Sequence, residues 1–586
     1  MKRPLLILLA LGCLQTYNAQ VIFDVQAPAS IAGTVDFTNN GDGSNWGLAN
    51  LLDPADAILD TLMLAEDGTP GINPQGIDST YECCGDSIIN DLSGKIAVIY
   101  RNTCAFGTKA LNAQDAGAVG VVIINREPGL VSMNGTAGIG TLVNIPVTFI
   151  DAASGAAIRA AIDNGDDVVA FIGNKTGFYG DDIGLADGDV LRAEFASTPR
   201  HVAQSATDFS VDMGAQFYNY GTNDQTDIVL TATIEFDGAT IYTESSASTA
   251  VNSGDTAFIT LPTFSQPSYG VGYYTVSYIL TMGATDEYIA DNIVNADFQI
   301  SDNLLSLGQL DTNMVPESGV YYRATNTGAN IDFTSCVIYR DSVASRMNAE
   351  GMWFAASGGL GDSLTGTYVQ LFVYEWTDVF TDLNDPAYNN ASLLLNQVAS
   401  GEYDYLSDLQ NEFVYAPITS TLGGLLNLTD NSRYLFCVAI NTENVYISHD
   451  TDADYTLNRN YYLQPLSAVQ ADLSWNANGF GATPQPSTAI KFSGVTTAID
   501  ESYRPEFVAY PNPAGNMVTF RLGNNVNLTH INVLDITGNL VKSRAINNNG
   551  AGSIALDVSN LANGQYIFAL TEKDGRTSNI KVTIAR

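Results

Sequence analysis

Along most of this chain apolar and polar residues trade places every second position, in short runs, which predicts strands in preference to helices. An early stretch breaks that habit. From Asp91 it reads DLSGKIAVIYRNTCAFGTKALNAQDAGAVGVVIINREPG. Ile96 to Tyr100 is a short apolar run and predicts a buried strand. Thr108 to Ala116 is rich in Ala around Leu111 and predicts a short helix, with Gly117 as its C-terminal stop. Val119 to Ile124 is a second strand and Asn144 to Ile150 a third, and Asp151 is placed to cap a helix reaching about Ile162. Strand, helix and strand within about thirty residues predict a crossover unit.

From residue 184 to 301 the pattern returns to alternation. "DIVLTATIEF", "TAFITLPTF" and "GYYTVSYILTM" are separated by Gly, Asn and Asp turns, and "ADNIVNADFQIS" closes the segment. About a hundred residues of this kind predict an immunoglobulin-like sandwich. Residues 302–495 carry "GVYYRAT", "SRMNAEGMWFAA", "GTYVQLFVYEWTD", "NEFVYAPI", "RYLFCVAIN" and "NVYISH" between long acidic loops, and are read as a jelly-roll-like β-sandwich. Residues 496–506 read as a linker. In 507–586 each piece alternates between Asn-Gly or Thr-Gly turns, which predicts a compact β-sandwich of seven or eight strands. The expected architecture is mainly β and multidomain: an α/β domain over 20–180, then Ig-like, jelly-roll-like and C-terminal β-sandwich domains.

The N-terminus changes the setting. Lys2 and Arg3 precede an apolar run from Leu5 to Leu14 and a polar, small-residue stretch from Gln15 to Gln20. This is the layout of a secretory signal peptide, 1–19, cleaved after Ala19, with bulky Tyr17 a departure. A lipid anchor on Cys13, after Gly12, is the other reading; Ala10 stands where Leu is usual. No later run is apolar long enough for a transmembrane span, which takes about 18–20 residues.

The 586 residues hold 24 Lys+Arg against 63 Asp+Glu, a formal charge of −39. That charge repels nucleic acid and anionic lipid and attracts cations. No Lys or Arg occurs between His201 and Tyr322, whereas eight of the 24 lie from Arg504 onward. The C-terminal piece is therefore a separate module.

Catalytic chemistry is sparse. The three histidines are His201, His449 and His530, and there is no HExxH. A "GDSL" string at Gly361 to Leu364 offers Ser363, but Tyr446 stands three residues before His449, where that lipase pattern needs Asp. Asp450, Asp452 and Asp454 in "DTDADY" are spaced as in a calcium loop, yet Tyr455 and Tyr461 occupy the Gly and Glu positions of an EF-hand. A calcium site of another kind and a solvated acidic turn are the two readings; no cofactor is otherwise required. Glu375 and Asp378 are a candidate carboxylate pair for a hydrolase, and Trp353 and Trp376 candidate sugar-stacking rings. Without the leader the cysteines are Cys83, Cys84, Cys104, Cys336 and Cys437. In an oxidising compartment they should pair, with one thiol left over. Cys84–Cys104 and Cys336–Cys437 are the expected bridges, although the residues alone leave open which of Cys83 and Cys84 is taken.

Three resemblances add to this. "GKIAVIYRNTCAF", "KALNAQDAGAVGVVIIN" and "IPVTFI" with Gly155 resemble the protease-associated (PA) domain, over about Tyr81 to Ile172, in the version found in secreted metalloproteases of the fungalysin type. The family has Gly where this chain has Asn102. It also has an upstream Cys that pairs with the Cys of "TCAF", which favours Cys84–Cys104. The resemblance implies a non-catalytic domain that binds peptides or restricts access to a neighbouring protease. "G-x-Y-x-V-x-Y" followed by "ADN" is similar to adhesion-type bacterial Ig-like modules. "YPNPA" (Tyr510, Pro511, Asn512, Pro513, Ala514), "DITG" from Asp535 to Gly538, "LANGQY" with Gly564 and Tyr566, and the late Lys581 resemble the type A sorting domain of type IX secretion, a pathway of the Bacteroidota. The partners this implies are the outer-membrane translocon and its sortase-like protease. The expectation is a non-catalytic binding protein, secreted or held on the outer cell surface by way of the periplasm, that engages an extracellular peptide, protein or glycan. The alternatives are a hydrolase with its carboxylates in 302–495 and an accessory subunit of a separate protease.

Overall fold

A computed structural model describes residues 21–47, 50–73, 76–85, 87–323, 332–359, 361–494, 507–522, 528–546, 552–573 and 577–586. The leader reading (1–19) and the linker reading (496–506) lie outside the described residues. The chain forms two compact units, Met1–Gly494 and Val495–Arg586.

The first unit opens with an eight-stranded sheet. Its strands are β1 (Val21–Ala27), β2 (Gly33–Thr34), β3 (Phe37–Asn39), β4 (Ile58–Leu64), β5 (Ile96–Tyr100), β6 (Gly120–Ile124), β7 (Val147–Ile150) and β8 (Val169–Asn174), in the order β2-β1-β8-β4-β5-β6-β7-β3. β4 to β7 run parallel, and antiparallel strands close both sides. Every residue of β5, β6 and β7 is buried, as continuous apolar runs in a parallel sheet require. Helix α1 (Phe106–Asp115) follows β5, and Gly117 takes the left-handed conformation (φ +92°) expected of a C-terminal stop. Helix α2 (Ala152–Asp163) follows β7, and the Asp151 carboxylate accepts the Ser154 amide at 2.7 Å. β7 is shorter than expected because Pro146, just before it, has no N–H to give the ladder.

Next comes a sandwich. A three-stranded sheet of Ile183–Gly184, Val211–Asn219 and Thr256–Phe264 covers one end of a twelve-stranded sheet. Phe217, Phe264, Tyr278 and Phe298 fill the space between, and each such ring contributes about 1.5–3 kcal/mol by leaving water. The Tyr278 hydroxyl donates to the Leu191 carbonyl at 2.6 Å, so its polar end is satisfied.

The twelve-stranded sheet does not stop where a boundary at 301/302 was expected. Ser197–Pro199 pairs in parallel with Phe298–Ser301 and antiparallel with Leu304–Ser306, which leads on to Ala489–Gly494, Met347–Phe354 and Val414–Pro417. Phe195, Val202, Leu305 and Leu307 accordingly belong to the core of the following domain. The opposite wall of that core is a seven-stranded sheet in the order Thr419–Ser420, Leu395–Asp404, Tyr368–Trp376, Arg433–Ile440, Phe333–Arg340, Ser467–Ala471 and Ser474–Asn476.

The second unit is a small sandwich. Val508–Tyr510, Met517–Arg521 and Ser553–Asp557 form one sheet; Leu540–Ala545, Leu528–Leu534, Gly564–Glu572 and Thr577–Ile584 form the other. Val518, Phe520, Ile531, Val533, Phe568 and Val582 lie buried between them.

Candidate functional site

Parallel strands leave a crevice at their carboxyl ends, and β5 and β6 do so here. A cavity of about 200 Å³ is lined by Tyr100 and Arg101 from the end of β5, Ile124, Asn125 and Arg126 from the end of β6, Ala152 and Ala156 of α2, and Asn73 and Ile77. The Arg101 guanidinium donates to Asn125 Oδ1 at 3.0 Å and lies 5.8 Å from the rings of Phe106 and Phe149, which fix its direction. Arg126 is exposed and meets only its neighbour Glu127, at 3.1 Å. Two guanidinium groups thus line one crevice, on a chain of net charge −39. Paired guanidinium groups are chemically suited to a carboxylate or another anionic group.

The floor under β5 is held by a covalent and polar knot. Cys84 is bonded to Cys104, and Cys83 stays buried and unpaired. Burial pushes the Cys83 thiol up to about 12, so it is held protonated and unreactive. Beside it Lys109 has no solvent exposure; its ammonium donates to the Glu82 carbonyl and lies 3.2 Å from Cys84 Sγ. Burial lowers Lys109 to about 8, with Glu82 opposing. Burial would raise Glu82, but hydrogen bonds from Thr103, Asn73 and Asn102 outweigh it and hold the carboxyl below its usual range. Asn102, where the PA pattern has Gly, donates to Glu82 at 2.8 Å.

The other sequence candidates separate. Cys336 and Cys437 face each other on neighbouring antiparallel strands and are bonded. Asp450 is buried and accepts the amides of Gln309 and Asp452, whereas Asp454 accepts the amide and hydroxyl of Thr456, the first residue of a short helix. Among the described residues no three Asp, Glu, His or Cys side chains are grouped so as to hold a metal. Asp378 accepts the Trp376 indole N–H and the Leu394 amide, and Glu375 accepts Ser432. Both are thus tied into the sheet and its covering loop. Ser363 sits in an exposed turn with Thr365. His449 meets the buried Ser335 hydroxyl at 3.1 Å, but its other nitrogen faces the Ile447 carbonyl rather than a carboxylate. Burial lowers His449 to about 4, so the pair is a sealed core contact.

A second cavity, of about 280 Å³, was not foreseen. It lies where the middle sandwich meets the next domain, lined by Glu194, Phe195, Asp212, Leu307, Ile338 and Tyr462 among others. The Tyr462 hydroxyl donates to Asp212 at 3.1 Å. Glu194 has no protein hydrogen-bond partner among the described residues. Its side chain is exposed to the cavity; desolvation by the cavity walls, with Asp341 adding repulsion, raises it to about 7. The alternation in "VLRAEF" was the only sequence signal for it.

In the second unit the sorting motif is a set of turns and ties. Asn512 Oδ1 accepts the Thr583 amide at 2.9 Å, and Ala514 is fully buried between the sheets. Asp535 accepts the amides of Thr537 and Asn539 and the Thr537 hydroxyl, which shapes the turn that needs Gly538 at φ +87°. Tyr566 donates to the Ala562 carbonyl at 3.1 Å; Gly564 opens its strand, and Lys581 lies opposite Ile567.

These two features define the class: an exported, mainly β multidomain protein. The PA domain family matches residues 61–158, and the secretion system C-terminal sorting domain family matches residues 508–585. The chain is a PA-domain protein with a type IX secretion sorting domain, directed to the cell surface or the extracellular space. Among the described residues no helix is long and apolar enough to cross a membrane. Among solved structures, an aminopeptidase from Aneurinibacillus sp. strain AM-1 is 22% identical over 27% of this chain and 31% of its own, with a TM-score of 0.19. The zinc aminopeptidase BSAP from Bacillus subtilis is 21% identical over 26% of this chain and 29% of its own, with a TM-score of 0.18. A peptidase M28 precursor from Shewanella amazonensis SB2B is 16% identical over 26% of this chain and 33% of its own, with a TM-score of 0.17. The chain thus spans about a third of the length of each. No curated protein matches it.

Proposed function

We propose that this exported chain is a non-catalytic binding protein whose PA domain holds extracellular peptides by an anionic group. The observation that supports this is the crevice at the ends of β5 and β6, where Arg101 and Arg126 line one cavity on an otherwise anionic molecule. A bidentate guanidinium contact contributes about 1.5–3 kcal/mol, enough for orientation as well as affinity. The peptide, protein or glycan nature of the ligand follows from what the crevice takes.

A second reading, a hydrolase, is favoured by Glu194 and Asp212 in the larger cavity, where an acid with a pKa of about 7 and a second carboxyl line one space. One assay separates the two. The full chain is titrated with short peptides that end in a free carboxylate and with their amidated forms, and both retention and turnover are recorded. The carboxylate forms should bind, and Arg126→Glu or Arg101→Ala should weaken them about tenfold or more. Equal binding of both forms, or no change in the variants, refutes the crevice. Turnover that disappears in Glu194→Gln moves the reading to the hydrolase.

A further inference from the structure

Where β8 ends, the chain turns into the middle sandwich through Lys175, and this lysine has no exposed surface. Its ammonium nitrogen lies 2.6 Å from Asp182 Oδ1 and 2.7 Å from Asp291 Oδ2. The rings of Tyr220 and Tyr288 close over it, with centroids 4.3 Å and 4.5 Å away. The Lys175 and Asp182 side chains are fully buried, and Asp291 retains 13% of its side-chain exposure. Asp182 Oδ2 and Asp291 Oδ1 are buried without any hydrogen-bond partner. Asp286, next to them, is already engaged by the amides of Ile183 and Tyr288 and by Asn292.

The charges do not balance as an ordinary ion pair. One ammonium faces two carboxylates in a space closed to water, and a surplus buried charge is resolved by taking up a proton. Desolvation, against the opposing Lys175 charge, raises Asp182 to about 7 and Asp291 to about 6. The Asp182 carboxylate, 2.6 Å away, is placed to take the ammonium proton as the reaction starts, which frees the Nζ lone pair. An amine in contact with one carboxyl group, beside a second and away from bulk water, is one of a positioned pair of reactants for condensation.

We propose that Lys175 and Asp182 are joined by an intramolecular amide bond, with Asp291 as the acid–base group that assists its formation. The lysine Nζ lone pair attacks Asp182 Cγ and forms the C–N bond. Asp291 gives its proton to the departing hydroxyl of Asp182, which leaves as water, and takes back the proton that the nitrogen sheds. Amine and acid become amide and one water; nothing is oxidised or reduced, and no other reactant is needed. The water is lost to bulk from a site that does not readmit it. The bond ties the last strand of the PA sheet to the first segment of the sandwich and closes the loop from Lys175 to Asp182 against proteases outside the cell.

The test is the intact mass of the purified full chain, with both disulfides reduced. It should be one water lighter than its sequence requires, and a protease digest should contain a branched peptide joining Lys175 to Asp182. Asp291→Asn keeps both reactants and removes the acid, so the full mass should return. A wild-type chain of full mass, whose Lys175 takes an amine-reactive label after unfolding, overturns the proposal; so does a water loss that maps to any other residue. The wild-type measurement decides the matter even where the variant folds poorly.

Discussion

Glu194 shows how much a single position depends on what surrounds it. In sequence it is one acid among 63 Asp and Glu. In the fold it borders a cavity with Asp341, Arg340 and Tyr462 as its charged and titratable neighbours, and its pKa rises from the usual 4.5 to about 7. The folded state therefore holds this proton more tightly than the unfolded chain does. The stabilisation is complete below about 4.5 and is lost as pH rises through about 7. Urea midpoints of wild type and Glu194→Gln, compared at about pH 5 and about pH 8, should show the glutamine variant losing less stability on the alkaline side. Parallel losses would mean that Glu194 titrates normally and that the cavity is wetter than its walls suggest. Residue identity alone reached only part of this chemistry. Two cysteine pairs were legible because an oxidising compartment and a family pattern constrain them. Asp450, Asp452 and Asp454 stayed ambiguous because their spacing is also that of carboxylates in acidic turns, and the sequence does not say that backbone amides will claim Asp450 and Asp454.

At the scale of elements the chain is easiest to read where local and tertiary demands agree. The apolar run of β5, the Ala-rich α1 with Gly117 behind it, and the Asp151 cap of α2 all follow from composition over a few residues. The cap is simple to test. Asp151→Ala removes the acceptor for the Ser154 amide and should cost about 1 kcal/mol of stability, whereas Asp151→Asn should cost little. Chemical denaturation followed by circular dichroism measures both; equal losses in the two variants would assign the effect to the charge rather than to the cap. What local pattern did not supply is the crevice, since Arg101 and Arg126 come from different strand ends and meet only because β5 and β6 are parallel neighbours. Lys175 is harder still. A single lysine after an apolar strand reads as a solvated stop, and its partner Asp291 arrives from more than a hundred residues away.

The whole molecule is less divisible than alternation and turn signals suggest. Strand patterns reveal where a sheet folds over, but not whether two sandwiches share one sheet. Ser197–Pro199 is only three residues long, yet it joins the two halves of the twelve-stranded sheet. The one division that sequence and fold agree on falls after Gly494, and from Arg504 on eight Lys+Arg against five acids follow an anionic body. That difference has a functional cause if the two parts answer to different readers: the body to its ligand, the module to the secretion machinery. The body has its own cores. A chain ending at Gly494 should therefore be made and folded, pass the inner membrane, and accumulate in the periplasm, while the full chain reaches the surface or the medium. Fractionation of cells producing each form, with the crevice's peptide binding used to confirm that the shorter chain is folded, separates a lost address from a lost fold. Equal release of both forms would show that the body carries an export signal of its own and would remove the sorting role from residues 507–586.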